Sequence, residues 1–257
     1  MSPKEASMEL PSAVVPPFSD GSQFVIEPED YPHVDVESLI TEDGAPVDSI
    51  YAEKQQRLLT ETLYASWQPA EGEQRFVALS NVGLFASTER PPLAPDCLLS
   101  LDVELPRNLR AKDHHSYFIW KYGKMPEVII EIVSDRRGGE EDYKMSEYSR
   151  MRIPYYVIFD PSNWLGGETL RVMGLGRGHY RKMMDNWLED IGLGLTLWQG
   201  VYEGAEELWL RWCDREGRLI LTGRERAEQE RQRADEANER IKRLEAQLRA
   251  QGIEPSA

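Results

Sequence analysis

Cysteine and long apolar segments are scarce in this chain. Cys97 and Cys213 are its only cysteines, and no paired-cysteine spacing occurs, so the sequence indicates neither a disulfide framework nor a zinc site. No uninterrupted apolar run is long enough to cross a bilayer, and the first residues lack the basic segment and apolar core of a secretion signal. We therefore expect a cytoplasmic protein.

Basic residues are also few relative to acidic ones, and the formal net charge is −15 over 257 residues. Residues 1–52 contain 11 acidic residues and one lysine, whereas residues 224–257 contain 8 acidic and 8 basic residues, which leaves −5 for the residues between them. A mildly acidic body argues against a protein that is always bound to DNA. It leaves open an enzyme whose metal ions supply positive charge locally.

The distribution of proline, charge and apolar residues predicts four segments. Residues 1–30 form a disordered arm rich in proline and acidic residues. Residues 31–222 form one globular domain, a size that can bury a substantial core. Residues 223–252 form a coiled-coil helix, and residues 253–257 form a disordered end.

Within the domain, residues 47–67 have the spacing of an amphipathic helix whose surface carries Glu53, Gln55 and Glu61. Residues 75–86 predict one or two strands.

After Pro161 the pattern is all β, with strands expected at 169–173, 179–183, 193–199, 207–213 and 218–221. Tryptophans in this β-rich extension could stack on bases, but large aromatics in a small sheet more often fill its core, which is the interpretation we favour. They are Trp187, Trp198, Trp209 and Trp212.

Apolar residues recur every seven positions near the end of the chain. The repeated positions are Ala227, Ala234, Ile241 and Leu248, with Ala237 and Leu244 at a second apolar position. This spacing indicates a coiled coil and favours self-association as a homodimer. Because Glu230 occupies one apolar slot and the repeat is short, the alternative is a single solvated helix.

Two acidic residues stand where the expected fold gives them no ordinary role. Asp96 follows a proline-marked turn and precedes a strand-like run. Glu131 lies inside residues 127–134, an apolar, β-branched segment typical of a strand buried on both faces. An unpartnered ionised acid in such an interior costs several kcal/mol or more, so Glu131 must be paired, protonated or bound to a cation.

A lysine follows these acids on a predicted helix. Residues 140–151 have helical spacing after a glycine-containing turn, with Lys144 and Tyr148 on one face. Residues 154–161 then predict another buried strand, closed by a proline. This order of strands and helix can bring Asp96, Glu131 and Lys144 together.

These motifs resemble the Uma2 family of bacterial restriction-endonuclease-like proteins, a branch of the PD-(D/E)XK nuclease superfamily. The resemblance covers roughly residues 40–222 and the tail. Its motifs are Pro95-Asp96, the strand around Glu131, Lys144 with Tyr148, the strand ending Asp160-Pro161, and the heptad tail. It implies an α/β fold with a restriction-endonuclease-like core, in which helices flank a mixed sheet, and a magnesium-dependent phosphodiesterase site acting on DNA.

The resemblance also implies roles for individual residues. Asp96 and Glu131 would bind Mg²⁺ or Mn²⁺, with the carbonyl of Ile132 as a third ligand. The superfamily pattern places a lysine two residues after the glutamate, and this chain has Val133 there. Lys144 would replace it, positioning the attacking water or stabilising the charge that develops on the phosphate.

Each candidate also has a structural explanation. Asp96 could cap its own turn, Glu131 could form a structural ion pair, and Lys144 could be an exposed helix lysine. The other polar residues are given structural interpretations: Glu53 as solvated, Tyr148 as helix packing, His114 and His115 as loop residues, Asp160 as a turn residue and Asp102 as too distant from the site.

Two functions follow from the residues and the resemblance. The first is a metal-dependent DNA endonuclease. The second is a catalytically silent nuclease-like adaptor or assembly protein that acts through its coiled-coil tail, which the missing lysine at Val133 keeps open.

Overall fold

The computed structural model describes residues 49–69, 75–135 and 138–251 of the chain. The predicted arm at 1–30 and the predicted end at 253–257 lie outside them. Among the described residues, no helix is long and apolar enough to cross a membrane.

Six strands, numbered like the others in chain order, form a central mixed sheet. They are β1 (Phe76–Ser80), β3 (Cys97–Leu101), β5 (Val128–Ile132), β6 (Tyr155–Phe159), β7 (Leu170–Gly176) and β8 (His179–Lys182). The strands lie in the order β1-β3-β5-β6-β7-β8. β5 and β6 are parallel, and the other neighbouring pairs are antiparallel.

Two smaller sheets accompany the central one. β2 (Leu84–Phe85) pairs in parallel with β4 (Tyr117–Phe118). The strands β9 (Trp187–Leu188), β10 (Leu193–Tyr202) and β11 (Ala205–Cys213) form an antiparallel sheet in the order β11-β10-β9. The β-rich extension predicted after Pro161 is therefore divided between two sheets, since β7 and β8 join the central sheet and β9, β10 and β11 form the second.

The helices are α1 (Ile50–Ser66), α2 (Ile119–Tyr122), α3 (Met145–Arg150) and α4 (Gly223–Ala250). A π-helical turn, Glu140–Lys144, leads directly into α3, and a 3-10 turn spans Lys112–His114. The combination of a mixed sheet with helices confirms the predicted α/β class.

Several boundaries differ from the sequence prediction. α1 begins at Ile50 because Ser49 is its cap, with a side chain that accepts a hydrogen bond from the Ala52 amide at 3.0 Å. The predicted strand at 218–221 is wrong, since Leu219 makes only an isolated bridge to Cys213. Trp209 and Trp212, at 0% and 2% exposure, belong to the core as expected.

Successive residues of β5 point to two different apolar clusters. Ile130 packs in the cluster that contains Leu59 of α1. Ile129 packs in the cluster that contains Tyr148 of α3. Since Glu131 is two residues beyond Ile129, its side chain lies on the face covered by α3.

The tail is a single helix anchored at its first turn. Thr222 and Glu225 form a capping box at the start of α4. Glu225 also accepts hydrogen bonds of 2.8 and 2.6 Å from Arg211, whose side chain is 1% exposed. No residue of α4 is buried, so its apolar positions stand open to solvent.

Gln55 joins α1 to the second sheet. Its amide nitrogen donates to the carbonyl of Leu210 at 2.8 Å, and its amide oxygen accepts from the Leu210 amide at 2.9 Å. The side chain is fully buried, so the expectation that it lies on the helix surface was wrong. It supplies the hydrogen bonds that an edge strand otherwise lacks.

Replacing Gln55 should therefore destabilise the protein. Gln55→Met keeps a similar shape but leaves two buried backbone groups of Leu210 unpaired, which should cost on the order of 2 to 4 kcal/mol. Urea unfolding measures this. Glu53→Gln on the same helix changes only an exposed ion pair with Arg57 and should stay within about 0.5 kcal/mol of the parent protein. Equal losses in both variants would contradict the prediction.

Candidate active site

Glu131 lies near the end of β5, and its side chain is 1% exposed. Its Oε1 accepts a hydrogen bond from the hydroxyl of Tyr148 at 2.7 Å. Its Oε2 accepts from Nζ of Lys144 at 2.9 Å. The buried acid is thus paired, as the sequence required, and both partners come from the helical segment over that face of the sheet.

Asp96 approaches Glu131 from the neighbouring strand. Cys97 pairs with Ile130 in the β3–β5 register, so the preceding residue, Asp96, lies opposite Glu131. Its Oδ2 accepts a hydrogen bond of 2.7 Å from the Ile132 amide. This bond crosses to β5, so Asp96 is not simply the cap of its own turn.

Gln56 of α1 fixes the other oxygen of Asp96. Its amide nitrogen donates to Oδ1 at 2.7 Å, and its side chain is 5% exposed. The sequence interpretation did not identify this residue. Its only signal was the spacing from the apolar Leu59 and Leu63, which places Gln56 on the buried side of the helix.

Burial controls the titration of both acids. Desolvation raises the pKa of Glu131 to about 8, and the charge of Asp96 adds to this rise, whereas Lys144 and Tyr148 oppose it. Burial likewise raises the pKa of Asp96 against the Ile132 amide, Lys144 and Gln56. The charge of Asp96 contributes to the rise in the pKa of Glu131, and a hydrogen bond with Glu131 opposes the rise in the pKa of Asp96.

Lys144 is held as a cation among acids. Burial alone lowers its pKa, but Glu131, Glu140 and Asp96 more than offset this, so the pKa of Lys144 is raised. Its side chain is 22% exposed, so the ammonium is not free in solvent. Lys144 is therefore not the exposed helix lysine that the sequence left as an alternative. The other alternative, an ion pair for Glu131, is present.

The backbone of Ile132 also faces this site. Its amide donates to Asp96, whereas the next amide, Val133, donates to Phe159 on the opposite side of the strand at 2.8 Å. In a β-strand the amide and carbonyl of one residue point to the same side. The Ile132 carbonyl is accordingly directed toward the Asp96 side.

The remaining candidates have structural roles. Asp160 accepts from the amides of Trp164 and Leu165, both at 2.8 Å, as expected of a turn residue. His114 and His115 contact backbone carbonyls in an exposed loop. Tyr148 packs in the core, but it also holds Glu131, a contact that the sequence interpretation did not anticipate.

The donor set suits a hard cation. Among the described residues, no three histidine, cysteine or acidic side chains are grouped to hold a metal ion. Asp96 and Glu131 instead offer two carboxylates, with the Ile132 carbonyl beside them. Mg²⁺ is commonly bound through one or two carboxylates and keeps several of its waters, so these residues fit that ion.

The chain matches the model of a known protein family. The model of the Uma2 family, described as "putative restriction endonuclease", matches residues 42–190. That range includes Asp96, Glu131, Ile132 and Lys144. No curated protein matches the chain.

The pKa of Glu131 predicts how stability depends on pH. The folded-state pKa is about 8, whereas an unfolded glutamate titrates near 4.5, so the folded state keeps the proton longer. The stability of the parent relative to Glu131→Gln should therefore fall from about pH 5 to about pH 8 and level off above it. Urea unfolding in EDTA across this range measures the difference. A difference that does not change with pH would contradict the assignment.

Proposed function

The chain belongs to the Uma2 family of the PD-(D/E)XK-like nuclease superfamily, and we propose that it is a metal-dependent endonuclease that hydrolyses phosphodiester bonds in DNA. The observation that carries the proposal is the meeting of Asp96, Glu131 and Lys144 at the end of β5. A structural ion pair would need only Glu131 and Lys144. The second carboxyl group beside them adds negative charge at a cost that a bound cation would offset.

In this proposal Asp96, Glu131 and the Ile132 carbonyl hold Mg²⁺ or Mn²⁺. When bound, the ion would polarise the scissile phosphate and lower the pKa of a coordinated water. Gln56 and the Ile132 amide fix the orientation of Asp96, and Tyr148 fixes that of Glu131. These contacts would keep both carboxylates ready for the cation, as supporting hydrogen bonds do in other metal sites.

Lys144 is the proposed electrostatic catalyst. Its ammonium donates a hydrogen bond of 2.9 Å to Glu131. From there the ammonium can orient the attacking water or stabilise the charge that develops on the phosphate. The stabilisation acts mainly in the transition state, so the lysine should affect turnover more than binding.

One observation favours a second candidate, a catalytically silent adaptor. Val133 stands where the superfamily pattern has a lysine, and Lys144 is already engaged with Glu131. In that case the acids and the lysine would only stabilise the fold, and α4 would provide the activity by joining two copies of the chain.

Cleavage assays separate the two candidates. The parent protein should cut plasmid or single-stranded DNA with Mg²⁺ or Mn²⁺ and not in EDTA. Lys144→Ala should lower turnover by a factor on the order of a hundred or more, comparable to the loss of one transition-state stabiliser, while Mn²⁺ still binds at least as tightly. Glu131→Gln should lower both the turnover and the affinity for Mn²⁺, since it removes a proposed cation ligand.

The control for this assay is Lys121→Ala, which removes an exposed lysine that pairs with Asp113. It should leave cleavage unchanged. If no DNA is cut under any condition, the adaptor becomes the better account. If the parent cuts and Lys144→Ala is equally active, lysine has no part in the mechanism.

We further propose that α4 pairs with a second copy of itself. Ile241 and Leu244 are 52% and 50% exposed in the single chain. Ile241 is seven residues before Leu248, and Leu244 is seven residues after Ala237, so both belong to the repeat. Burying such side chains could contribute on the order of 1.5 to 3 kcal/mol each. A parallel or antiparallel pair would thus cover the apolar positions that the domain leaves open.

Sedimentation should test this pairing. The full chain is expected to sediment as a dimer, and a truncation after Gln232 as a monomer. The truncation keeps Glu225 and so avoids leaving the buried Arg211 without its partner. Ile241→Glu with Leu244→Glu should also give monomers, whereas Ala246→Glu with Ala250→Glu adds the same charge outside the repeat and should not. A monomeric full chain would refute the pairing.

A further inference from the structure

A third acid, Glu140, lies close to the Lys144 ammonium. Oε1 of Glu140 is 3.6 Å from Nζ of Lys144, too long for a good hydrogen bond, whereas Oε2 of Glu131 is 2.9 Å from it. Glu140 is 5% exposed. The ammonium therefore has two buried carboxyl groups within 4 Å and is hydrogen-bonded to only one of them.

The Glu140 carboxyl group is poorly satisfied where it lies. Its Oε2 is buried and has no hydrogen-bond partner among the described residues. Leaving a buried carboxylate oxygen without a donor is unfavourable, because it has lost water and gained nothing in return. Among the described residues, the cation recorded beside this group is Lys144, at 3.6 Å.

The position of Glu140 is favoured by a glycine beside its carboxyl group and by a hydrogen bond to its backbone. A Cβ atom at residue 138 would lie 1.8 Å from Oε1 of Glu140, so the glycine there makes room for the acid. The backbone of Glu140 is held by Tyr156, whose hydroxyl donates to the Glu140 carbonyl at 2.9 Å. The backbone of Glu140 is thus held in place, whereas the lysine beside it has a flexible side chain.

We propose that Glu140 is a positioning residue that takes over the Lys144 ammonium when a divalent cation binds Asp96 and Glu131. The inference rests on the proposed metal site. The cation and the ammonium would compete for Oε2 of Glu131 and repel each other, so the lysine must move for the cation to bind. A shift of about 1 Å brings the ammonium from 3.6 Å to ordinary bonding distance of Glu140.

This transfer has a consequence for the proposed chemistry. Without Glu140, the ammonium would remain on Glu131 and oppose the cation, or leave the site for solvent. With Glu140, the ammonium gives up Glu131 but stays beside the scissile phosphate. One lysine can then neutralise the acids in the metal-free protein and stabilise charge in the loaded one.

The test is the affinity for Mn²⁺, measured by calorimetry on four full-length proteins: the parent, Glu140→Gln, Lys144→Met and the double variant. Each background gives one factor, the loss of Mn²⁺ affinity that Glu140→Gln causes. This factor should be about tenfold larger with Lys144 than with methionine at 144, a coupling typical of residues that act on each other. Equal factors in both backgrounds would mean that Glu140 acts only through its charge, and would overturn the proposal. A larger factor in the methionine background would also overturn it, since Glu140 would then bind the cation itself.

Two further measurements complete the test. Glu141→Gln removes the same charge from the adjacent residue, whose side chain is 47% exposed, and should leave Mn²⁺ affinity within about twofold of the parent. A crystal structure with Mn²⁺ should show Lys144 bonded to Glu140 and separated from Glu131. A lysine still on Glu131 beside the bound ion would refute the transfer.

Mn²⁺ binding and DNA cleavage by the parent protein separate the role of Glu140 from the proposed metal site. If the parent binds Mn²⁺ and cuts DNA but the two factors are equal, only the role of Glu140 is lost. If the parent binds no Mn²⁺, the metal site itself is wrong and the transfer is refuted with it.

Discussion

The burial of one carboxyl group in an apolar strand constrains everything around it. Glu131 is 0% exposed between isoleucines, where an unpaired ionised acid would cost several kcal/mol. Tyr148 and Lys144 offset that cost, and both come from residues 140–150. This segment must therefore pack on the face of β5 that carries the acid, and its position over the sheet is set by the need to satisfy Glu131 as much as by apolar contact.

The main candidates could be identified from sequence because they break local rules. An acid within an apolar strand and a lysine one helical turn before a tyrosine are unexpected in a purely structural unit, and strand order brings them together. Gln56 and Glu140 break no such rule. A glutamine or glutamate on a helix looks like an ordinary solvated residue, and only the packing of that helix decides that its side chain is buried.

The same limit explains the errors elsewhere in the chain. Periodicity predicted α1 and the strands of the second sheet, since burial of apolar residues fixes both. It could not show that Gln55 lies beneath β11, or that the charged Arg211 is buried against Glu225. These contacts join residues more than ten positions apart and satisfy particular backbone or charged groups, so no local pattern records them.

Val133 shows how the site can dispense with a lysine on the strand. Residues 131 and 133 of an extended strand share a face, and here Val133 packs in the cluster that contains Tyr148. A lysine at 133 would place its ammonium on that same face, beneath the helical segment. Lys144 reaches that face from above, so the charge arrives on the same side of the sheet while the strand keeps an apolar residue for packing. Lys144 belongs to the segment that carries Glu140, so its ammonium has two buried carboxyl groups within reach. A lysine at 133 would instead be fixed to the same strand as Glu131.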